Sequence, residues 1–185
     1  MKKILVFAGS TRAASVNKKL ATAAAEIATA SGASVTLLDL ADYPAAIYNG
    51  DDEATNGIPE PIRKLKKLLA DSDGFIVVSP EYNGQISPLL SNTFSWLSRS
   101  EEGENGMIAF NGKKAAIMAA SPGKLGGVRV IPRLRDTLAE LSVMVVPGFF
   151  TLPGAMQAFN DNGDLKDDAS RTAVKAVVDK LIAEI

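Results

Sequence analysis

Cysteine and histidine are both absent from this sequence of 185 residues. Without cysteine the chain has no disulfide and no thiol nucleophile, and without histidine it has no imidazole to act as a general base. The two absences also remove the usual ligands of zinc and of most transition metals, so we predict no metal site. Any chemistry must therefore use hydroxyls, carboxylates, amines, backbone groups or a borrowed cofactor.

An excess of one charge is missing too, because 20 Lys and Arg residues face 21 Asp and Glu residues. This balance gives no reason to expect nucleic acid or an anionic membrane as a partner. The apolar run at residues 4–8 is shorter than the ~7 to 15 residues of a secretion-signal core, and no stretch has the length of a transmembrane helix. We therefore expect a cytoplasmic protein in which residues 1–185 form one domain.

Apolar runs of strand length alternate with segments of helical period along the chain. The predicted strands are residues 4–8, 35–38, 75–78, 114–120 and 143–146, and the predicted helices are residues 15–30, 58–69, 88–99, 129–141 and 169–185. The remaining long segments, 41–57, 100–112 and 147–168, are rich in turn-forming residues and are predicted to be irregular. Alternation of this kind is typical of an α/β protein with a doubly wound parallel sheet and helices on both faces. Five strands favour the flavodoxin-like order 2-1-3-4-5.

Ligands of such sheets bind beyond the carboxyl ends of the strands, where the strand order reverses. In the order 2-1-3-4-5 this point lies between strands 1 and 3, next to strand 4. Three polar loops follow these strands: the first loop, residues 9–17 (GSTRAASVN), the second loop, residues 79–88 (SPEYNGQISP), and the third loop, residues 121–129 (SPGKLGGVR). We predict that these loops form the functional site.

The first loop contains neither G-x-G-x-x-G nor the glycine-lysine spelling of a P-loop. It offers the side chains of Ser10, Arg12, Ser15 and Asn17, and the free N–H groups at the start of a helix, including that of Val16. This donor set predicts a site for a single phosphate monoester. The simpler alternative is an ordinary capped helix, for which Ser15 alone would suffice.

The second and third loops are less specific. The second loop combines an aromatic ring, an amide and a glycine that would let backbone approach a flat ligand, in Pro80, Glu81, Tyr82, Asn83 and Gly84. The third loop has a glycine-rich backbone. Taken alone, each could be an ordinary turn.

Together, the three loops resemble those of the NAD(P)H-dependent FMN reductase family, which includes bacterial quinone and chromate reductases. The resemblance covers nearly the whole chain and is carried by Gly9 to Arg12 with Ser15, Asn17 and Leu20; by Pro80 to Gly84 with Pro88, Asn92, Trp96, Ser98 and Arg99; and by Ser121 to Gly123 with Gly126, Gly127 and Arg129. Ser91 and Ser95 depart from the pattern, because relatives commonly have lysine and aspartate at these positions. Contacts between subunits are therefore not carried over.

The resemblance implies that FMN is bound with its phosphate on the first loop and its ring against residues 80–84. The third loop would contact the flavin from the other side through Ser121, Gly123 and Gly126. Members of the family are commonly dimers or tetramers, so a homodimer or homotetramer is expected.

The implied activity is hydride transfer from NADPH or NADH to FMN, followed by electron transfer to a quinone or another small oxidant such as a flavin, chromate or an azo compound. This scheme requires no catalytic side chain, because the flavin performs the redox chemistry. Tyr82 and Arg12 are the predicted contacts of the substrate pocket. Glu81 is given no role in proton transfer and is expected to point to water, Trp96 is expected in the core or an interface, and residues 51–53 are expected to form a solvated acidic loop.

Two other functions fit parts of the pattern. A flavodoxin-type electron carrier would bind FMN without reacting with NAD(P)H, but such carriers tend to be strongly acidic, and this chain is not. A flavin-free protein that binds a phosphate ligand is the second alternative, since a fold does not fix a function.

Overall fold

The structure is a computed structural model that describes residues 1–101 and 103–185. Its strands are β1 (Lys3–Ala8), β2 (Ser34–Leu38), β3 (Gly74–Val78), β4 (Lys114–Ala120), β5 (Met144–Val145) and β6 (Phe150–Leu152). Its helices are α1 (Val16–Ala30), α2 (Gly50–Asn56), α3 (Glu60–Ala70), α4 (Pro88–Leu97), α5 (Val130–Glu140) and α6 (Asp168–Glu184). Among the residues described, no helix combines the length and the apolar character needed to cross a membrane.

The strands form one parallel sheet in the order β2-β1-β3-β4-β5, which confirms the predicted order. β6 is an additional strand that pairs with the last part of β4, with Met118 opposite Phe150. The sequence pattern predicted a last strand at residues 143–146 and irregular structure over residues 147–168, so β6 was not expected. β5 and β6 are separated by Pro147, which has no N–H to donate, and Gly148, whose φ is 93°.

The two faces of the sheet have separate hydrophobic cores, as expected when crossover helices cover both faces. Alternate residues of β1 point to opposite sides, so that Val6 joins the core beneath α1 and α6 whereas Phe7 joins the core beneath α3, α4 and α5. Alanines of α1, among them Ala21 and Ala24, are buried against the sheet. Burial on both sides explains why the inner strands are continuous apolar runs.

The segment between β2 and α3 differs from its predicted form. Residues 41–57, predicted to be irregular, contain the short helix α2, which begins after an N-cap at Asn49. The acidic triplet at residues 51–53 therefore forms the first turn of a helix rather than a loop, because carboxylates interact favourably with a helix N-terminus. Trp96 is in the core, as expected, and only 2% of it is exposed.

The starts of α4 and α5 agree with the sequence. Ser87 caps α4 by accepting a hydrogen bond from the N–H of Leu90 at 3.2 Å, and Pro88 occupies the first helical position. Pro132 lies in the first turn of α5, where its missing N–H costs no helical hydrogen bond. Both helices therefore start at the edge of the sheet where the polar loops lie.

Candidate functional site

The three loops leave the sheet side by side. The N–H of Gly9, just after β1, donates to the carbonyl of Val78 at 2.9 Å, and the N–H of Ser79, just after β3, donates to Met118 at 2.9 Å. The N–H of Ser121, just after β4, donates to Leu152 of β6 at 3.1 Å. The loops predicted to form the site therefore start from one hydrogen-bonded edge, at the point where the strand order reverses.

The first loop turns tightly into α1. The N–H of Ser15 donates to the carbonyl of Arg12 at 3.2 Å, and the Ser15 hydroxyl accepts from the N–H of Lys18 at 3.4 Å, as an N-cap does. The N–H groups of Val16 and Asn17 have no protein acceptor in the part of the chain that the structure describes. These donors at the positive end of α1 are available to an anion.

Two side chains of the first loop are available beside these donors. The Ser10 side chain is largely buried and its hydroxyl makes no hydrogen bond to any described residue, while Arg12 is exposed and lies within 4.0 Å of no described carboxylate. The hydroxyl of Ser15 can still donate its proton, because its cap bond uses the oxygen as acceptor. A phosphate needs several donors of this kind and one cation.

Asn17 is placed differently from the expectation that its amide faces the phosphate. Its side chain is 3% exposed and makes two hydrogen bonds with the backbone of Ala120. The Asn17 amide donates to the Ala120 carbonyl at 3.0 Å and accepts from the Ala120 N–H at 2.9 Å. The side chain thus ties α1 to the end of β4, and what remains for a ligand is the N–H of Asn17.

The second loop contains a tight hairpin. Tyr82 and Gln85 exchange two backbone hydrogen bonds of 3.1 and 2.9 Å, and Asn83 and Gly84 between them have φ values of 54° and 76°. Asn-Gly is the preferred pair for a two-residue turn with positive φ at both positions, so this hairpin has a local signal in the sequence. No heavy atom lies within 4 Å of a Cβ placed on Gly84, so the tip of the hairpin is open, and Tyr82 beside it is 46% exposed.

The third loop is held close to the sheet by its glycines. A Cβ on Gly126 would lie 2.8 Å from the backbone nitrogen of Pro153, and Gly127 has a φ of 84°. Both residues are buried, so their role is close packing rather than flexibility. Ser121 is partly exposed and Gly123 is exposed.

Glu81 joins the second and third loops and does not point to water. Its side chain is only 14% exposed, and one carboxylate oxygen accepts from the N–H of Arg129 at 3.0 Å. The other oxygen is 3.5 Å from the guanidinium of Arg129. Glu81 therefore binds the third loop, a contact that no local pattern in the sequence predicts.

Charge is distributed unevenly among the helix starts. α1, α4 and α5 follow the three site loops and have no acidic residue in the first turn, whereas α2, α3 and α6 each have at least one. Acidic residues normally favour this position because they offset the positive end of the helix dipole. Their absence at α1 and α4 leaves the positive ends of these two helices available to an anionic ligand, whereas the carboxylate of Glu81 lies at the start of α5.

Lys18 and Asp39 form an ion pair beside the first loop, between α1 and the end of β2. Burial raises the pKa of Asp39, but its bonds to Lys18 and to the N–H of Ala41 outweigh burial and hold the pKa below its usual value. This pair ties the first turn of α1 to the end of β2.

Asn92 and Trp96, two of the residues that carry the family resemblance, lie outside the three-loop site. Both donate a side-chain hydrogen bond to the carbonyl of Ala46, at 2.9 and 2.8 Å. Asn92 also accepts from the N–H of Tyr48 at 2.8 Å, and the rings of Tyr48 and Trp96 meet edge to face. These residues hold the segment after β2 against α4.

The site thus has free N–H groups, hydroxyls and a cation at α1, and open backbone beside an exposed aromatic ring at the second loop. The first set fits a phosphate monoester, and the second set fits the edge of a flat ring system. The residues present therefore fit FMN. They contain no constellation of nucleophile and base that would suggest covalent catalysis by the protein itself.

The chain is similar to known proteins over most of its length. The model of the family described as NADPH-dependent FMN reductase matches residues 2–157. The chain is 34% identical to a quinone reductase of Pseudomonas putida, over 96% of this chain and 91% of the relative. It is 31% identical to a 2-hydroxy-1,4-benzoquinone reductase of Burkholderia, over 98% of this chain and 94% of the relative.

A solved structure is similar over its full length as well. The flavoenzyme NAD(P)H:(acceptor) oxidoreductase FerB from Paracoccus denitrificans superposes with a TM-score of 0.78 at 25% identity, and the match covers 99% of this chain and 98% of that chain.

Proposed function

The chain belongs to the NADPH-dependent FMN reductase family, and we infer from this membership and from the three-loop site that it is an FMN-dependent NAD(P)H oxidoreductase that reduces quinones. The single observation that carries the assignment is the cluster of unpaired donors at the start of α1, beside the open hairpin of the second loop. Relatives named for quinone reduction share almost the full length of the chain, which supports a quinone as the acceptor.

We propose that the FMN phosphate is bound by the first loop through the Ser10 and Ser15 hydroxyls, the Arg12 guanidinium and the N–H groups of Val16 and Asn17. Residues 80–84 would lie along the ring system, and the third loop would contact it from the other side through Ser121, Gly123 and Gly126. When bound, FMN supplies the hydride and electron transfer for which this chain has no residue of its own.

The protein itself would contribute to the reaction by positioning the reactants and by excluding water from the site. Tyr82, which is half exposed, is the proposed wall of the pocket for the nicotinamide and then for the oxidant. Arg12 is proposed to contact the phosphates of NADPH or NADH as well as that of FMN, because it is exposed and lies within 4.0 Å of no described carboxylate. Other small oxidants, such as a flavin, chromate or an azo compound, would be reduced at the same place.

A visible spectrum tests the flavin assignment, because protein purified after incubation with FMN should keep a perturbed flavin absorption. The absorption should bleach with NADPH or NADH and return on addition of a quinone. Free-FMN absorption with no thermal stabilisation would refute flavin binding. Bleaching by dithionite but by neither nucleotide would identify an electron carrier of the flavodoxin type instead.

We propose that residues 1–185 act as one FMN-binding domain and that it assembles as a homodimer or homotetramer. Exposed apolar side chains support assembly: Ile47 is 85% exposed, Met156 60% and Phe149 46%. A pyridine nucleotide as electron donor supports a cytoplasmic location, and the balanced charge supports neither nucleic acid nor membrane as a partner. Sedimentation analysis with and without FMN will give the mass, and a monomer in both would contradict the assembly.

A further inference from the structure

Glu81 occupies a special position between two walls of the site. It is part of the second loop, and its carboxylate binds the third loop at Arg129. We propose that Glu81 is a positioning residue that fixes the distance between the two loops that hold the FMN ring system. This inference rests on the proposed function.

The contact is directed at the backbone. The shorter bond, 3.0 Å, runs from the N–H of Arg129, whereas the guanidinium is 3.5 Å away and 64% of the Arg129 side chain is exposed. Removal of the arginine side chain would therefore leave the shorter bond in place. Removal of the Glu81 carboxylate would leave the N–H without its acceptor.

The start of α5 depends on this carboxylate. Arg129 occupies the N-cap position of α5 and makes no side-chain cap bond, and the first turn of the helix has no acidic residue. By contrast, α1, α4 and α6 are capped by the side chains of their own N-cap residues, Ser15, Ser87 and Asp167. Glu81 thus accepts, from a neighbouring loop, the N–H of the N-cap residue itself, as the glutamate of a capping box does within one helix.

Both partners of the bond are rigid units. Glu81 directly precedes the hairpin closed by the two bonds between Tyr82 and Gln85. On the other side, a Cβ on Gly127 would lie 3.1 Å from the Cβ of Ala119 in β4 and 3.8 Å from the Cβ of Glu81. The hairpin and the third loop are therefore held together at Glu81. Loss of this bond would let the two loops move relative to each other.

Four variants separate positioning from mere stability. Glu81→Ala removes the acceptor, Glu81→Gln keeps a neutral acceptor, and Arg129→Ala keeps the N–H. Asp167→Ala is the matched control, because Asp167 caps α6 by the same kind of bond, a carboxylate accepting the N–H of Ser170 at 2.7 Å. For each variant we would measure the FMN dissociation constant, the circular dichroism of the bound flavin at saturation, and the melting temperature without FMN.

Glu81→Ala should weaken FMN binding about tenfold and change the flavin circular dichroism, while Glu81→Gln and Arg129→Ala should stay within about threefold of wild type. Asp167→Ala should lower the melting temperature and leave both flavin readouts unchanged. Glu81→Ala with wild-type affinity and spectrum would overturn the inference, even if its melting temperature fell. Equal losses in Glu81→Gln and Glu81→Ala would overturn it too, because a neutral acceptor should suffice. If the wild-type protein binds no FMN, it is the proposed function that fails.

Discussion

Ser10 and Arg12 are two side chains of the first loop that make no hydrogen bond or ion pair with any described residue and can therefore bind an anion. A hydroxyl and a guanidinium at the start of a helix add two directed donors to the backbone N–H groups there. These two side chains are expected to contribute to ligand binding rather than to the stability of the fold, because neither makes a hydrogen bond or ion pair with a described residue. This makes them suitable positions at which to test the phosphate assignment.

Arg12→Ala and Ser10→Ala should each raise the FMN dissociation constant, by about tenfold for Arg12, which corresponds to about 1.4 kcal/mol. Riboflavin lacks the phosphate, so its weaker binding should not change in either variant. Fluorescence titration with both flavins measures this. Lys64→Ala is the matched control, since Lys64 is an exposed cation on α3 with a 68% exposed side chain. Unchanged FMN affinity in the double variant would contradict the phosphate site.

Gly9 is required for a different reason, which is the space between the first loop and α4. A Cβ at this position would lie 2.5 Å from two side-chain carbons of Leu90 and 2.8 Å from the hydroxyl of Ser87. A side chain at position 9 would therefore crowd α4, the helix that follows the second loop.

Gly9→Ala should therefore lower the free energy of unfolding by about 1–3 kcal/mol, the usual cost of overpacking. Gly50→Ala is the matched control, because a Cβ at Gly50 would meet only the hydroxyl of Tyr48, at 3.8 Å. That substitution should be neutral or slightly stabilising within a helix. Urea unfolding curves of the two variants compare them directly. Equal midpoints would show that Leu90 can move aside without lowering the free energy of unfolding.

At the scale of elements, the first turn of α1 has two tasks. It contains no acidic residue, and Lys18, its third residue, is paired with Asp39 just after β2. Because the pKa of Asp39 is held below its usual value, the pair stabilises the fold above the unfolded pKa of about 3.9, and this stabilisation is lost as the pH falls through the folded pKa.

Asp39→Asn should reduce the stability at pH 7 by about 0.5–1 kcal/mol, as expected for a partly exposed ion pair. Asparagine can still accept the hydrogen bond from the N–H of Ala41, so the variant removes the charge and keeps this bond. The difference from wild type should shrink as the pH falls below 4. Urea unfolding at pH 7 and pH 3 measures it, with Asp42→Asn as the control. A difference of constant size at both pH values would exclude the ion pair as its cause.

On the scale of the whole molecule, the site is built from three loops and the three helix starts that follow them, which the sheet brings together. A ligand that contacts all of them stabilises the native state alone, because the loops separate on unfolding. The effect should grow with ligand concentration.

FMN at about 100 times its dissociation constant should raise the free energy of unfolding by about 2.7 kcal/mol and increase the melting temperature accordingly. Riboflavin at the same concentration should raise it less, because it leaves the donors at α1 unused. Differential scanning fluorimetry over a series of concentrations tests this. Equal shifts for the two flavins would indicate that the phosphate adds nothing to binding.

Several features could be predicted from the sequence because they depend on local pattern. The apolar runs and helical stripes predicted the strand order, and Ser15, Ser87 and Pro88 marked two helix starts. The absence of acidic residues around the start of α1 is likewise a property of the sequence. Helix α2 and the Asn83-Gly84 turn were missed although their signals, an N-cap asparagine before acidic residues and an Asn-Gly pair, are local.

The remaining features depend on contacts between residues far apart in the chain. The amide of Asn17 lies against Ala120, which is 103 residues away, and Glu81 accepts a hydrogen bond from Arg129, which is 48 residues away. The sequence by itself determined which loops meet, because parallel strands place their carboxyl ends at one edge. Only the tertiary structure decided which donors remain free for a ligand, because a polar side chain can bind another loop as readily as a phosphate.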